Sequence, residues 1–411
     1  MLRSGGVEEK PARRRHEIAT MTGDARLSAP NSSGRIRVLT FLHSFAPGGV
    51  ERVALRLVRH WRATGVDAPL ILGRDDGAMR EEFADVAFDM PRQPRAHQAS
   101  WETLWMILTL PAAIRRLRPD VLFVAGSTYT IVAVAMRLLL GRGCPPIVVK
   151  ISNDLARRDL NPLGRFFWRA WLRIQARCAH SWVVMDESMV PELPPLMARR
   201  GHVVHDPAIS ATQLMPARGA RAEGPRRFVA VGRLVGQKHF ALMLRAFARA
   251  VQPGETLTIF GDGAERGALE ALAASLGIAD RVRFAGHVAD APAQLPAYDV
   301  LLMSSRYEGV PAVVIEALSA GLSVVSTDCG AGLRSLLGQG RFGTIVPQNE
   351  ALLAEAIRTA PAAPLDRTAL LASLQRFTIE RSAQDYLALF VEAAAARAAR
   401  QPIRLEQKVP A

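Results

Sequence analysis

The sequence predicts an α/β protein made of two Rossmann-like, doubly wound domains facing a cleft. Three observations lead there. The chain has 411 residues and is 49% hydrophobic, more than one core organises, since single cores seldom grow past about 250 residues. Short β-branched or apolar runs alternate with amphipathic stretches, the pattern of a parallel sheet covered by helices. The alternation occurs twice, in series divided by a loop at residues 207–225 rich in Pro, Gly, Ala and Arg.

Residues 1–34 are rich in Arg, Ser, Gly and Pro without periodicity and read as a disordered leader. The first domain, 35–206, opens with a strand over 36–42, a helix over 50–63 and a strand over 68–72. Further strands are expected at 121–124, 147–151 and 182–185. The linker spans 207–226. The second domain, 227–378, begins with a strand over 227–232 and a helix over 239–251. A strand over 256–260 and a helix over 265–276 follow, then strands at 282–285, 300–303 and 323–327. A long alanine-rich helix within 379–400 comes next, placed to pack back across the cleft, before a tail at 401–411.

Composition excludes several classes. The three cysteines, Cys144, Cys178 and Cys329, lie far apart without zinc-ligand spacing, and read as packing residues of a reduced compartment. Arg13, Arg14 and Arg15 are not followed by an apolar run, so no secretory signal is expected and the location is read as cytoplasmic. The best membrane-spanning stretch, 121–140, is broken by Gly126-Ser127 and Arg137, and a strand followed by a helix accounts for it. A net charge of +14 favours an anionic partner, although scattered surface arginines also follow from composition alone.

The candidate chemistry sits at strand ends. After the first strand comes Pro47-Gly48-Gly49-Val50-Glu51, where two glycines let backbone amides approach a phosphate at a helix N-terminus. A tight turn entering a helix explains the same residues, and the GxGxxG spacing of dehydrogenases is absent. After strand 227–232, Arg233 and Lys238 put a guanidinium fork and an ammonium where both reach a diphosphate; solvated loop cations are the bland alternative. After strand 300–303, Glu308-Gly309-Val310-Pro311 leads into a helix containing Glu316, with Pro311 suited to its first turn. Two carboxylates and the amides of Gly309 and Val310 then face one cleft suited to a hydroxyl-rich ligand. Alone, Glu316 also fits a buried acid paired with an arginine.

Taken as a set, Gly48-Gly49-Val50-Glu51, Gly232-Arg233 with Lys238, Phe260-Gly261-Asp262-Gly263, Phe284-Ala285-Gly286, and Glu308-Gly309-x-Pro311 with Glu316-Ala317 and Ala320-Gly321 resemble glycosyltransferase family 4. The resemblance runs over residues 36–395, more strongly in the second half. It implies the GT-B fold and transfer of a sugar from a nucleotide sugar, with retention of configuration and without a metal or other cofactor. Arg233 and Lys238 would hold the donor diphosphate, and Glu316 the ribose. Glu308 would be the catalytic residue, holding the donor sugar with Gly309 and Val310. Gly48, Gly49 and Gly261 would line the donor site, and His287 would lie near the nucleobase. No Asp-x-Asp occurs, the arrangement by which another class of glycosyltransferases holds a metal. The chain departs from the family where a histidine is frequent after strand 147–151. It reads Ser152-Asn153 there, with Asp206-Pro207 for Asn-Pro and Ser335 for a common acid.

On the acceptor side, Arg165, Arg169, Arg173 and Arg177 recur every four residues and cover one arc of a helix of about 120°, with Phe167, Trp171 and Ile174 on another face. Trp168 and Leu172 flank the arc. Such a helix suits an anionic membrane surface or a lipid diphosphate, while a solvated charged face over a packed aromatic stripe is its ordinary explanation. The acceptor is expected to be a glycan or a lipid-linked glycan. A nucleotide-sugar epimerase of the same architecture is the competing enzyme. No helix-turn-helix, zinc finger or aromatic RNA-binding signature supports a nucleic-acid partner.

Overall fold

The computed structural model describes residues 35–91, 101–151, 161–214, 224–288, 290–361 and 366–399. The expected leader and tail lie outside these residues, as do Ser152 and Asn153. The chain runs through β1 (Val38–Leu42), α1 (Gly49–Ala63), β2 (Leu70–Leu72), α2 (Glu102–Leu117), β3 (Val121–Val124) and α3 (Thr130–Leu140). It continues with β4 (Ile147–Lys150), α4 (Pro162–Cys178), β5 (Ser181–Val184), the single turn α5 (Pro195–Ala198) and β6 (Gly201–Val203). These strands form one six-stranded sheet in the order β2-β1-β3-β4-β5-β6, every pair parallel. With helices on both faces its strands read as unbroken apolar runs; all four residues of β3, Val-Leu-Phe-Val, are buried.

Right-handed crossovers place α1 on one face of this sheet and α2, α3 and α4 side by side on the other. Accordingly, α2 packs on α3 and α3 on α4. Asn161 starts α4 by accepting the Gly164 N–H at 2.7 Å, ahead of Pro162. The face that α4 turns inward corrects the ordinary expectation for this helix. Leu172, Gln175 and Ala176 are buried, and Trp168 packs half-buried against the core. Phe167 and Ile174, expected in a packed stripe, stand 62% and 47% exposed. The three buried residues define one arc, and Phe167 and Ile174 fall more than a third of a turn from its centre, beyond what the sheet covers, while Trp171 at the near edge of the stripe is half-buried.

The second unit comprises β7 (Arg227–Val231), α6 (Phe240–Ala250), β8 (Thr256–Phe260), α7 (Arg266–Ser275), β9 (Val282–Gly286), the single turn α8 (Ala291–Gln294) and β10 (Val300–Met303). Then come α9 (Ala312–Ser319), β11 (Ser323–Thr327), α10 (Ala331–Leu336), β12 (Thr344–Val346), α11 (Glu350–Thr359) and α12 (Arg367–Leu374). Its parallel sheet has the order β12-β11-β10-β7-β8-β9, that of a dinucleotide-binding sheet read from its far edge. Pro311 stands as the cap residue before α9 rather than inside its first turn. Core residues fall into one cluster for the first unit and two on either side of the second sheet.

The last helix, α13 (Ile379–Ala399), leaves the second unit and joins the core of the first. Tyr386 and Phe390 pack around Trp61 and Phe123, and the Trp61 indole N–H donates to the Ala383 carbonyl at 3.1 Å. Where the chain crosses, Ala208 N–H donates to Phe377 O at 3.0 Å and Ile379 N–H to Ile209 O at 2.8 Å. The three cysteines are free; burial pushes the Cys144 thiol up to about 11 and that of Cys329 up to about 12. Among the described residues no helix is long and apolar enough to cross a membrane.

Candidate active site

Ligands of doubly wound sheets sit beyond the carboxyl ends of neighbouring strands whose crossovers leave in opposite directions. In the second sheet those neighbours are β7 and β10, paired in parallel through Val300 opposite Phe228. The loop after β7 carries Arg233 and Lys238, and the loop after β10 carries Glu308, Gly309 and Val310. Topology thus brings these five together.

Hydrogen bonds lace the two loops. The Ser304 hydroxyl donates to the carbonyls of Lys238 and His239 at 2.9 and 3.0 Å. The Arg306 N–H donates to Gln237 O at 2.8 Å, and Gln237 Nε2 to Tyr307 O at 3.1 Å. Lys238 Nζ lies 2.5 Å from Glu308 Oε1, both side chains largely buried. Arg233 is exposed, with its guanidinium in no ion pair among the described residues. A bound anion therefore meets one fixed ammonium, already balanced by a carboxylate, and one guanidinium available to close on it.

Two glycines hold this end of the sheet in shape. Gly261, after β8, has φ +151°, and a Cβ there would stand 1.9 Å from the Gly232 carbonyl oxygen, one residue before Arg233. A Cβ on Gly332, in α10, would come within 2.1 Å of the Gly309 carbonyl oxygen. His287, exposed, follows β9 at the sheet edge, and Gly261 N–H donates to Gly286 O at 2.7 Å to tie that loop in.

Glu316 sits within α9, its side chain 11% exposed, with Arg56 Nη2 of α1 at 3.8 Å. Burial pushes its carboxyl above the usual range, while Arg56 and Arg52 pull the other way. Arg56 also donates to the carbonyls of Pro207 and Ala208 at 3.3 and 2.9 Å. The buried acid beside an arginine is thus realised, and its partner comes from the opposite domain. Two further contacts cross the cleft. Ser335 Oγ donates to Asp186 Oδ2 at 3.0 Å, and a Cβ on Gly309 would lie 3.0 Å from Met185 Cε.

In the first sheet, the corresponding neighbours are β1 and β3. Gly48 caps α1 and Gly49 begins it; the Cβ position of Gly48 is taken by Glu51 Oε2, 2.0 Å away. Glu51 Oε1 accepts the Tyr129 hydroxyl at 2.8 Å. His43 N–H reaches that same hydroxyl oxygen at 3.4 Å, and its ring nitrogen Nδ1 lies 3.7 Å from Glu102. Burial holds the His43 imidazole below its usual range, against the pull of Glu102 and Glu51. Arg165, Arg169, Arg173 and Trp168 lie on α4, in the helix layer, and take no part in the loops after β7 and β10.

Asp186, Glu187 and His205 bring potential metal-ligand atoms within 4.8 Å of one another. Both Asp186 oxygens are engaged, however, by Ser188 N–H at 2.9 Å and by Ser335, and His205 Nδ1 lies 2.8 Å from Met185 O. The other ring nitrogen of His205, Nε2, lies 3.8 Å from Glu187 Oε1. Arg56, Ser304, Tyr129 and the Asp186–Ser335 pair were not singled out by the sequence. Ser304 alone left a signal there, as a small polar residue at the end of a strand next to the Glu308 loop.

Comparison with known proteins agrees with this fold. Residues 47–205 match the family described as Glycosyltransferase Family 4, and residues 225–360 that described as Glycosyl transferases group 1. A lipopolysaccharide core biosynthesis glycosyltransferase of Rhizobium meliloti is 43% identical over 24% of this chain, a match that spans only 28% of that relative. A GDP-mannose-dependent alpha-mannosyltransferase of Mycobacterium tuberculosis is 28% identical over 77% of this chain and 85% of its own. Among solved structures, Anabaena HepE in complex with UDP and glucose superposes with a TM-score of 0.69 at 18% identity, covering 87% of this chain and all (100%) of its own. An apo lipopolysaccharide outer core galactosyltransferase gives 0.65 at 18% identity, covering 87% and 100%.

Proposed function

The chain belongs to glycosyltransferase family 4, with the GT-B fold, and from that premise we propose that it moves a sugar from a nucleotide donor to a glycan or lipid-linked acceptor in cell-envelope polysaccharide synthesis. The observation that carries this reading is the Lys238–Glu308 pair, which joins the loop after β7, where Arg233 also stands, to the loop after β10 beyond the adjoining ends of these strands. Arg233 and Lys238 take the donor diphosphate, so that the charge building on it during bond breaking meets a fixed ammonium and a guanidinium that closes on it. Glu308 and the amides of Gly309 and Val310 orient the donor sugar, and Glu316 takes the ribose. His287 lies toward the nucleobase. The N-terminal end of α9 adds partial positive charge.

Transfer proceeds with retention. The acceptor oxygen bonds to the anomeric carbon on the face the diphosphate leaves, the bond from that carbon to the phosphate oxygen breaks, and a donor phosphate oxygen accepts the proton. The two cations do the work of a metal, and the reaction takes place at the inner face of the cytoplasmic membrane.

A thermal-shift series of UDP, GDP and ADP sugars identifies the donor, starting with UDP and GDP because similar proteins carry those names. Nuclear magnetic resonance of the product is then expected to give the donor's own anomeric configuration. An inverted product sinks the retaining mechanism. Turnover is expected to persist unchanged in excess EDTA, and a loss restored by a divalent ion would assign a metal to the reaction.

A further inference from the structure

Among the described residues, the outer face of the layer formed by α2, α3 and α4 gathers exposed apolar side chains and arginines. Most of the large apolar side chains exposed among the described residues belong to these three helices, among them Leu104, Leu108, Leu138, Phe166, Phe167 and Ile174. Phe166 and Phe167 are each 62% exposed and Leu138 is 74% exposed. Monomeric proteins rarely gather so many on one face. The same helices carry seven arginines against one acid, Glu102, and that acid is already paired with Arg74. Four of the chain's six tryptophans lie half-buried here: Trp101 and Trp105 at the start of α2, Trp168 and Trp171 in α4.

We infer that this three-helix face docks on an anionic lipid bilayer, with the exposed aromatic and aliphatic side chains of α4 inserted. The combination selects this occupant. Leucine and phenylalanine enter the acyl boundary, indole rings favour the interface between apolar and polar regions, and guanidinium groups pair with lipid phosphates. A second copy bound through the same face would set like charges against each other about a two-fold axis, which disfavours self-association.

The layout also orients the molecule. Helices that follow parallel strands begin at the strands' carboxyl ends, so the first turns of α2, α3 and α4 border the cleft. Leu104 and Leu108 lie in the first two turns of α2 and Phe166 and Phe167 in the second turn of α4, near the cleft, while Leu138 with Arg137 in α3 and Arg115 and Arg116 in α2 lie at the far ends of theirs. The docking face thus reaches the cleft along the first turns of its helices, which would present the site to a lipid-linked acceptor; in that respect the docking rests on the transferase reading.

Flotation of the full chain with vesicles of phosphatidylcholine, alone or mixed with phosphatidylglycerol, tests it. The wild type is expected to float with the mixed vesicles and not with phosphatidylcholine alone, with affinity falling as salt rises. F166S/F167S is expected to lose at least tenfold in vesicle affinity and R173Q/R177Q about thirtyfold. Thermal stability and the melting shift given by uridine diphosphate are expected to be unchanged in F166S/F167S. Wild-type binding by both variants, or no flotation of the wild type, overturns the inference. So does a dimer that F166S/F167S converts to monomer. Absence of a melting shift with every one of the UDP, GDP and ADP sugars, with vesicle binding intact, would instead sink the transferase reading and leave the docking face standing.

Discussion

Alanine at both Arg233 and Lys238 is expected to lower kcat/KM for the nucleotide sugar by about a thousandfold or more. A single preorganised donor to a developing oxyanion is worth roughly a hundred- to a thousandfold, and here two full charges serve one diphosphate. Most of the loss should fall on kcat, because the phosphate charge grows as the glycosidic bond breaks and the cations bind that state best. Lys238 needs a control of its own. Its ammonium lies 2.5 Å from Glu308 in a largely buried pair, so removing it leaves a carboxylate without its counterion, a change that destabilises by about 3 kcal/mol or more when burial is complete. K238A/E308Q removes that orphaned charge, so its melting temperature relative to K238A measures the part of the effect that is stability. Unchanged affinity and turnover in R233A/K238A would remove the basis for the proposed mechanism.

The second large effect belongs to a residue without a side chain. Gly261→Ala places a methyl group 1.9 Å from the Gly232 carbonyl oxygen at a φ of +151°, a collision with backbone that no rotamer relieves. Either the loop after β7 or that after β8 must move. The expected cost is about 3 kcal/mol of stability from overpacking and backbone strain together. Turnover should fall about a hundredfold as well, since a shift of an ångström at Gly232 displaces Arg233 by as much. Gly267→Ala supplies the comparison. Nothing lies within 4 Å of its added Cβ, it stands in α7, and it is expected to gain about 0.4–1 kcal/mol. Equal melting temperatures for G261A and wild type would refute the packing account.

Much of the fold was legible because its strands are buried on both faces. The runs at β3, β8, β10 and β11 stand where the sequence put them, each a continuous apolar or β-branched stretch. The strands β6 and β12 left no such run. Gly201-His202-Val203 and Thr344-Ile345-Val346 are three residues each, at sheet edges and only half-buried, so nothing obliges them to be apolar. The site was legible where one loop holds it, as for Glu308-Gly309-Val310. Its cross-domain partners were not, because pairs such as Arg56 with Glu316 or Asp186 with Ser335 depend on how two sheets face each other and leave no local pattern. The α4 helix shows the same limit from another side. Its periodicity separated arginines from aromatics, but only the neighbouring strands decide which arc is covered, and they chose Leu172, Gln175 and Ala176.

The placement of α13 sets the order in which the molecule is assembled during synthesis. Tyr386, Phe390 and Ala383 complete the packing around Trp61 and Phe123, yet they are translated only after every strand of the second unit has been made. The usual rule that an N-terminal domain finishes folding first therefore cannot hold in full here: the aromatic core of the first unit is complete only once the chain that follows the second unit has been made.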